Sequence, residues 1–121
     1  MSRPVGPYTP IVRAGDLLIT SGQLGLQVAP DGSSSLVDGG TVAQLTQALA
    51  NGAALLAGEG ASIEDIVKAT VFLTDMTEFA AVNEAWIMFF GSHRPARTAI
   101  GVAALPLGAT VEVELLAHHP Q

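Results

Sequence analysis

The chain of 121 residues contains no cysteine and few charged side chains. The absence of cysteine excludes disulfide bonds, thiolate nucleophiles and zinc sites built from thiolates. Only 13% of the residues are charged, whereas 49% are apolar. A small protein has much surface to solvate, so this surplus of apolar side chains favours an interface between copies of the chain. We therefore expect a homo-oligomer in which residues 1–121 form one domain.

Positive charge is scarce as well, since five Lys and Arg residues stand against eleven Asp and Glu residues, for a net charge of −6. Nucleic-acid binding depends on clustered Lys and Arg, so we expect no nucleic-acid-binding face. The segment Met1–Pro7 has no apolar stretch typical of a signal peptide. No run approaches the ~20 apolar residues that span a bilayer. These features predict a soluble, cytoplasmic protein that does not enter a membrane.

Motifs of the common cofactor and metal sites are also missing. The sequence contains no GxGxxG, GxxxxGK[ST], HExxH or GxSxG pattern. Its three histidines, His93, His118 and His119, lack the spacing of metal ligands, and the last two would point to opposite sides of a strand. We therefore expect neither a cofactor nor a bound metal.

Apolar periodicity predicts the secondary structure. Two β-prone runs around the turn Ala14-Gly15-Asp16 predict a hairpin, and the turn-rich segment 24–40 predicts a loop with at most a short strand at 36–37. An apolar stripe from Val42 to Leu56 predicts a helix that starts with a capping box of Thr41 and Gln44. Later patterns predict a strand at 66–74, a helix at 77–90 and strands at 97–103 and 110–117.

The order of these elements predicts the fold class. Helices separated by strands, with a hairpin at each end, favour an α+β domain with a single mixed β-sheet and two helices packed on one face. The other face of the sheet would then be apolar and uncovered. We expect that face or the sheet edges to contact neighbouring subunits.

Arg97 and a pair of glutamates remain as candidates for chemistry. Arg97 begins a strand of small and apolar residues, where a guanidinium extends into solvent, binds an anion or forms a salt bridge between subunits. Spacing alone favours the salt bridge over an anion site. Glu112 and Glu114 share one face of the last strand. That face is either solvated or covered by a subunit, and desolvation would raise the pKa of one carboxyl group into the range of a general base or acid. The pattern leaves both questions open.

Five short segments follow one another in a fixed order along the chain. They are Gly6-Pro7-Tyr8 with Arg13-Ala14-Gly15-Asp16, Ser21-Gly22-Gln23, residues 67–76 with 79–83, Pro95-Ala96-Arg97-Thr98, and Leu105-Pro106 with Val111-Glu112-Val113-Glu114. Together these segments resemble the reactive-intermediate deaminase family, known as Rid or YjgF, over almost the whole chain.

The resemblance implies a chorismate-mutase-like fold assembled as a homotrimer with clefts between subunits. It implies hydrolysis of reactive 2-imino and enamine acids (2-aminoacrylate, 2-iminopropanoate and 2-iminobutanoate) to 2-keto acids and ammonia. By position, Arg97 would bind the substrate carboxylate and Glu112 would position or activate the water. The residues implied to line the cleft are Tyr8, Ser21, Gly22, Asn83 and Ala99. A protonated imine is a strong electrophile, so orientation, an aimed water and a proton acceptor would suffice without metal or cofactor.

Two positions depart from the family pattern. Many deaminase-active members carry cysteine where this chain has Ala99 and an acid where it has Gly101. Ala99 predicts a roomier, more apolar pocket, and both changes can alter substrate preference. Two alternatives remain, a trimer that binds small acids or acts like a chaperone without turnover, and an endoribonuclease or translation inhibitor. The acidic composition disfavours the second.

Overall fold

The computed structural model describes residues 6–121, which form a five-stranded mixed sheet with two helices on one face. In chain order the elements are β1 (Ile11–Ala14), β2 (Leu17–Thr20), β3 (Leu26–Val28), β4 (Ser34–Leu36), α1 (Thr41–Gly58), β5 (Ile66–Leu73), α2 (Phe79–Phe90), β6 (Ala96–Gly101) and β7 (Val111–His118). The strand order is β1-β2-β7-β5-β6, and β5–β6 is the parallel pair. The predicted α+β class, with its mixed sheet and two helices, is confirmed.

Alternating side chains in β7 explain how the sheet separates the core from its other face. Val111, Val113 and Leu115 are buried beneath the helices, whereas Glu112 and Glu114 point to the opposite face. The largest fully buried side chains lie between sheet and helices; they are Leu18, Leu45, Leu49, Leu56, Ile66, Val71, Leu73, Val82, Val111 and Val113. The face opposite the helices, called the open face below, carries the two glutamates.

The segment 24–40 is more ordered than its composition predicts. Strands β3 and β4 pair as a separate two-stranded sheet, with Gly32 in the turn at a φ of 88°. Strands of three residues are too short for an alternating pattern, so the sequence predicted a loop here. Asn51 of α1 holds this segment in place, because its Nδ2 donates to the carbonyls of Leu24 (3.2 Å) and Leu26 (2.9 Å).

The start of α1 corrects the predicted capping box. Gly40 is the N-cap residue, and no side chain caps the helix. Instead, the Thr41 hydroxyl donates to the Glu78 carboxylate (2.6 Å) and lies 2.7 Å from the Thr110 hydroxyl. The side-chain oxygen of Gln44 accepts a hydrogen bond from the Thr110 N–H (3.0 Å). Thr41 and Gln44 therefore join α1 to the segments that precede α2 and β7.

Helix α2 begins two residues later than predicted, because a short 3-10 turn at Met76–Glu78 precedes it. It ends at Gly91, whose φ of 64° agrees with the predicted stop. Within residues 6–121, no helix is both long and apolar enough to cross a membrane. The expectation drawn from Met1–Pro7 rests largely on residues 1–5, which lie outside the described part of the chain.

Candidate functional site

Arg97 lies on the edge strand β6, under helix α2. It pairs with buried Ala69 of β5, so its side chain points to the helix-covered face of the sheet. Its Nη2 donates to Oδ1 of Asn83 at 2.8 Å. Its Cζ lies 5.5 Å from the ring centroid of Phe79 and 5.1 Å from that of Trp86. Helix α2 therefore holds the guanidinium with one amide and two aromatic rings.

No acidic side chain among residues 6–121 neutralises the charge of Arg97. The one salt bridge among residues 6–121 joins His119 to Asp65 and leaves Arg97 without an acidic partner. Burial lowers the pKa of the Arg97 guanidinium, but arginine stays protonated at neutral pH because its ordinary pKa is so high. A neutral amide and two π faces orient this cation without cancelling its charge. The arrangement can bind an anion from outside the chain.

The backbone N–H and C=O of Ala99 lie on β6, the same edge strand that carries Arg97. The N–H of Val102 donates to the carbonyl of Leu73 in β5 (2.9 Å). Because backbone groups alternate sides along a strand, the N–H and C=O of Ala99 point away from β5. Within the described residues no strand pairs with that edge of β6. A bound carboxylate can therefore contact both the Arg97 guanidinium and the Ala99 N–H.

Glu112 lies in β7 on the open face, with its carboxylate resting against Gly22. A Cβ atom at Gly22 would lie 2.6 Å from Oε2 of Glu112, so a larger residue would displace the acid. Gln23 and Val113 exchange two backbone hydrogen bonds (2.6 and 2.9 Å), which fix Gly22 at this place. Burial raises the pKa of Glu112, and the nearby charge of Glu114 raises it further.

Ser21, which precedes Gly22, binds the N-terminal segment. Its hydroxyl donates to the carbonyl of Thr9 (2.7 Å), and its N–H donates to the carbonyl of Pro10 (2.8 Å). These bonds place the segment that contains Tyr8 beside Ser21 and Gly22. The side chain of Tyr8 is 41% exposed.

The predicted site residues thus fall into two groups. Arg97, Asn83 and Ala99 form one, called the cation side below, and Glu112, Gly22, Ser21 and Tyr8 form the other, called the acid side. Arg97 aligns with Ala69 of β5 and Glu112 with Phe72, and these two positions point to opposite faces of the sheet. Within one chain the sheet separates the two groups, so a cleft that contains both requires two chains.

Phe79 and Trp86 belong to the cation side, although neither was predicted from the sequence to be a site residue. With Asn83 they lie at positions i, i+4 and i+7 of α2, which share one helix face. Taken alone, this spacing is typical of ordinary core packing. An amide between two aromatic residues on a helix face, followed by a strand that begins with arginine, is the signal that could have identified them.

Histidine side chains take part in local contacts elsewhere. A ring nitrogen of His93 lies 2.8 Å from the carbonyl oxygen of Ile66, and His119 lies 3.5 Å from Asp65. In the part of the chain that the structure describes, no three His, Asp or Glu side chains are grouped so that they could hold a metal ion.

The chain is similar in sequence and in structure to several known proteins. The family model described as "Endoribonuclease L-PSP" matches residues 1–119. A goat protein named 2-iminobutanoate/2-iminopropanoate deaminase is 43% identical over 113 residues, which cover 93% of this chain and 80% of the goat protein. A RutC family protein of Pyrococcus horikoshii is 36% identical over 116 residues, covering 96% and 90%. The crystal structure of E. coli TdcF with bound serine has a TM-score of 0.86 at 34% identity, covering 98% and 92%.

Proposed function

The chain belongs to the endoribonuclease L-PSP family, also known as YjgF/RidA, and on that basis we propose that it hydrolyses reactive 2-imino acids to 2-keto acids and ammonia. The observation that carries the proposal is the un-neutralised guanidinium of Arg97, oriented by α2 at an open strand edge. A relative of known name acts on 2-iminobutanoate and 2-iminopropanoate, and a structural neighbour binds serine. All three molecules are small acids with a carboxylate beside a nitrogen-bearing carbon. We propose the same substrate class here, together with 2-aminoacrylate.

The active site lies between subunits in this proposal. Because the sheet separates Arg97 from Glu112 within one chain, the cation side of one subunit faces the acid side of the next. A closed ring of identical contacts gives one such cleft at each interface. We propose a homotrimer, as the family resemblance implies, and a cytoplasmic location.

The reaction needs only the groups of these two sides. The substrate carboxylate binds the Arg97 guanidinium and the Ala99 N–H, which orients the imine carbon toward the acid side of the neighbour. The imine nitrogen first takes a proton from solvent. Glu112 then accepts a proton from a water molecule as the water oxygen bonds to the carbon of this protonated imine, which becomes a tetrahedral amino alcohol. The protonated Glu112 then donates to the nitrogen, the C–N bond breaks, and the hydroxyl proton is lost. One imino acid and one water yield one 2-keto acid and one ammonia.

The raised pKa of Glu112 suits both proton transfers. A carboxyl group that titrates above its ordinary range is a better acceptor for the proton of water than an ordinary carboxylate. It is also more readily protonated near neutral pH when the nitrogen leaves. A protein that only binds small acids would need the cation side. It would not need the partly buried carboxylate of Glu112, which packs against Gly22. Glu112 therefore favours turnover over simple binding.

The surface does not favour RNA as substrate, despite the description of the family. Besides Arg97, the described residues contain three Lys and Arg residues, and all three donate hydrogen bonds within the chain. Arg13 donates to the carbonyls of Gly15 and His119, Arg94 to those of Gly91 and His93, and Lys68 to the hydroxyl of Thr98. Phosphate binding depends on clustered cations, which this arrangement lacks.

The proposal is tested by following 2-keto acid release from imines that an amino-acid oxidase forms from alanine and 2-aminobutyrate. Imines also hydrolyse spontaneously, so the quantity of interest is the acceleration over a protein-free reaction. We expect Arg97→Ala to lower kcat/KM by about 100-fold, because an ion pair at a desolvated site loses one partner. Glu112→Gln should lower kcat and leave ligand affinity largely intact, since it keeps the shape of the side chain.

Arg94→Ala is the matched control for the loss of an arginine, because Arg94 is exposed and bonds only to nearby carbonyls. A wild-type protein that gives no acceleration contradicts the proposed activity. Full activity in Glu112→Gln would reject the acid's role and favour simple binding.

A further inference from the structure

Beyond Ala99, the cation side continues along β6 to Gly101. Arg97, Ala99 and Gly101 lie at positions i, i+2 and i+4 of one strand, so they share the face below α2. Ala99 presents only a methyl group on this face, and Gly101 presents none. The strand therefore forms a shallow floor that begins at the guanidinium and carries no charged or hydrogen-bonding side chain.

Met76 closes the far end of this floor. A Cβ atom built at Gly101 would lie 3.0 Å from Cγ and 3.6 Å from Sδ of Met76, so the thioether rests directly on the glycine. Phe79 follows three residues later and contacts the guanidinium of Arg97 with its ring. Both Met76 and Phe79 are partly exposed (45% and 37%), which leaves room for a ligand beside them. The floor is thus bounded by Arg97 at one end, Met76 at the other and Phe79 between them.

A planar imine carbon has three substituents, which point in three directions. In the proposed reaction the carboxylate binds Arg97, and the imine carbon and nitrogen face the acid side of the neighbouring subunit. The third substituent, the side chain of the substrate, then points along the floor of Ala99 and Gly101. We propose that Met76, seated on Gly101, is a specificity-determining residue that ends the subsite for this side chain; this inference rests on the proposed function.

The chemistry of this subsite defines which substrates it accepts. A floor of a methyl group and a glycine, with a phenyl ring and a thioether as walls, offers no polar or charged side chain as partner to a charged or hydroxylated substituent. Burying such a group without a partner carries a desolvation cost. The subsite therefore favours 2-imino acids with unbranched apolar side chains, and the position of Met76 sets the accepted length.

Two substitutions should move this length limit in opposite directions. Met76→Ala removes the end wall, so we expect the kcat/KM ratio of the six-carbon imine from norleucine to the three-carbon imine from alanine to rise about tenfold. Gly101→Val places a side chain where Met76 now rests and fills the floor, so the same ratio should fall about tenfold. Each ratio is measured in one preparation of protein, which cancels differences in the amount of folded protein.

Met88→Ala is the control, because Met88 is 85% exposed on α2 and does not take part in the cation side. Its ratio should equal that of the wild-type protein. If neither Met76→Ala nor Gly101→Val changes the ratio while alanine imine is still hydrolysed, the inference about Met76 is wrong and the proposed function stands. If the wild-type protein accelerates no imine, both are overturned.

Discussion

The cation side and the acid side are held in place by different means. Side chains of α2 orient Arg97 through an amide and two rings. Glu112, in contrast, rests on the backbone of Gly22, which a pair of main-chain hydrogen bonds fixes to β7. Neither charge has an opposite charge beside it among residues 6–121. The first side is preorganised for an anion, whereas the second has a carboxyl group whose pKa is raised by burial.

This difference predicts that substitutions on the two sides will affect different kinetic constants. Changes on the cation side should chiefly weaken substrate binding, because in the proposed reaction Arg97 contacts the carboxylate before and during the reaction. Changes on the acid side should chiefly lower kcat, because in the same proposal Glu112 acts on the water as the bond forms. Three experiments can show whether the two sides meet between subunits, whether the contact of Glu112 with Gly22 matters for activity, and what raises the pKa of Glu112.

The largest expected effect is a recovery of activity in mixed oligomers. Arg97→Ala and Glu112→Gln proteins should each be nearly inactive alone. When the two are unfolded together and refolded in equal amounts, a contact between an intact Arg97 and an intact Glu112 forms at about one interface in four in a closed ring. Activity should therefore return to about a quarter of the wild-type value, measured as keto-acid release per subunit.

Mixing the folded proteins without refolding is the control, and recovery of activity in that mixture would measure how fast subunits exchange between folded oligomers. A refolded mixture that stays as inactive as its components would show that the two sides do not meet between subunits.

An intermediate effect is expected for Gly22→Ala. The added methyl group would lie 2.6 Å from Oε2 of Glu112 and must displace the carboxylate. We expect kcat to fall about tenfold with little change in KM, because the cation side is untouched. Gly58→Ala is the matched control, since a Cβ there meets no atom within 4 Å. Equal kinetics for the two alanine variants would contradict the role assigned to Gly22.

The smallest effect is a shift in the pH profile. The proposed reaction requires ionised Glu112, so kcat/KM should fall as the pH drops through its pKa. Burial and then the charge of Glu114 raise this pKa, which places the acidic limb above that of an ordinary carboxyl group. Glu114→Gln removes the charge contribution and should move the limb to lower pH. Glu59→Gln, on the exposed end of α1, should leave the limb where it is.

Much of the fold follows from the sequence because long periodic segments determine it. The strand at Ile66–Leu73, the alternation of Glu112 and Glu114 with buried valines, and the helix stop at Gly91 all agree with local patterns. The hairpin of β3 and β4 does not, since its three-residue strands depend on Asn51 for support from a distant helix.

The site was harder to predict than the fold. Residue patterns named Arg97, Glu112 and Glu114 as candidates and left their roles open, whereas the roles and the other site residues came from the family resemblance and stay predictions. Local alternation places Glu112 opposite the buried valines, but the face of Arg97 depends on the register in which β6 pairs with β5. Register between distant strands is a tertiary property, and no local pattern contains it. The capping box failed for the same reason, because Thr41 and Gln44 found partners in distant segments.

The separation of Arg97 and Glu112 by a packed sheet also bears on when the protein can work. No side-chain motion within one copy can carry either group through a layer of buried valines and leucines. If the proposed site forms between subunits, a single copy is inactive, and the rate per chain should drop at concentrations where assemblies dissociate. Abundance in the cell would then act as a threshold for activity.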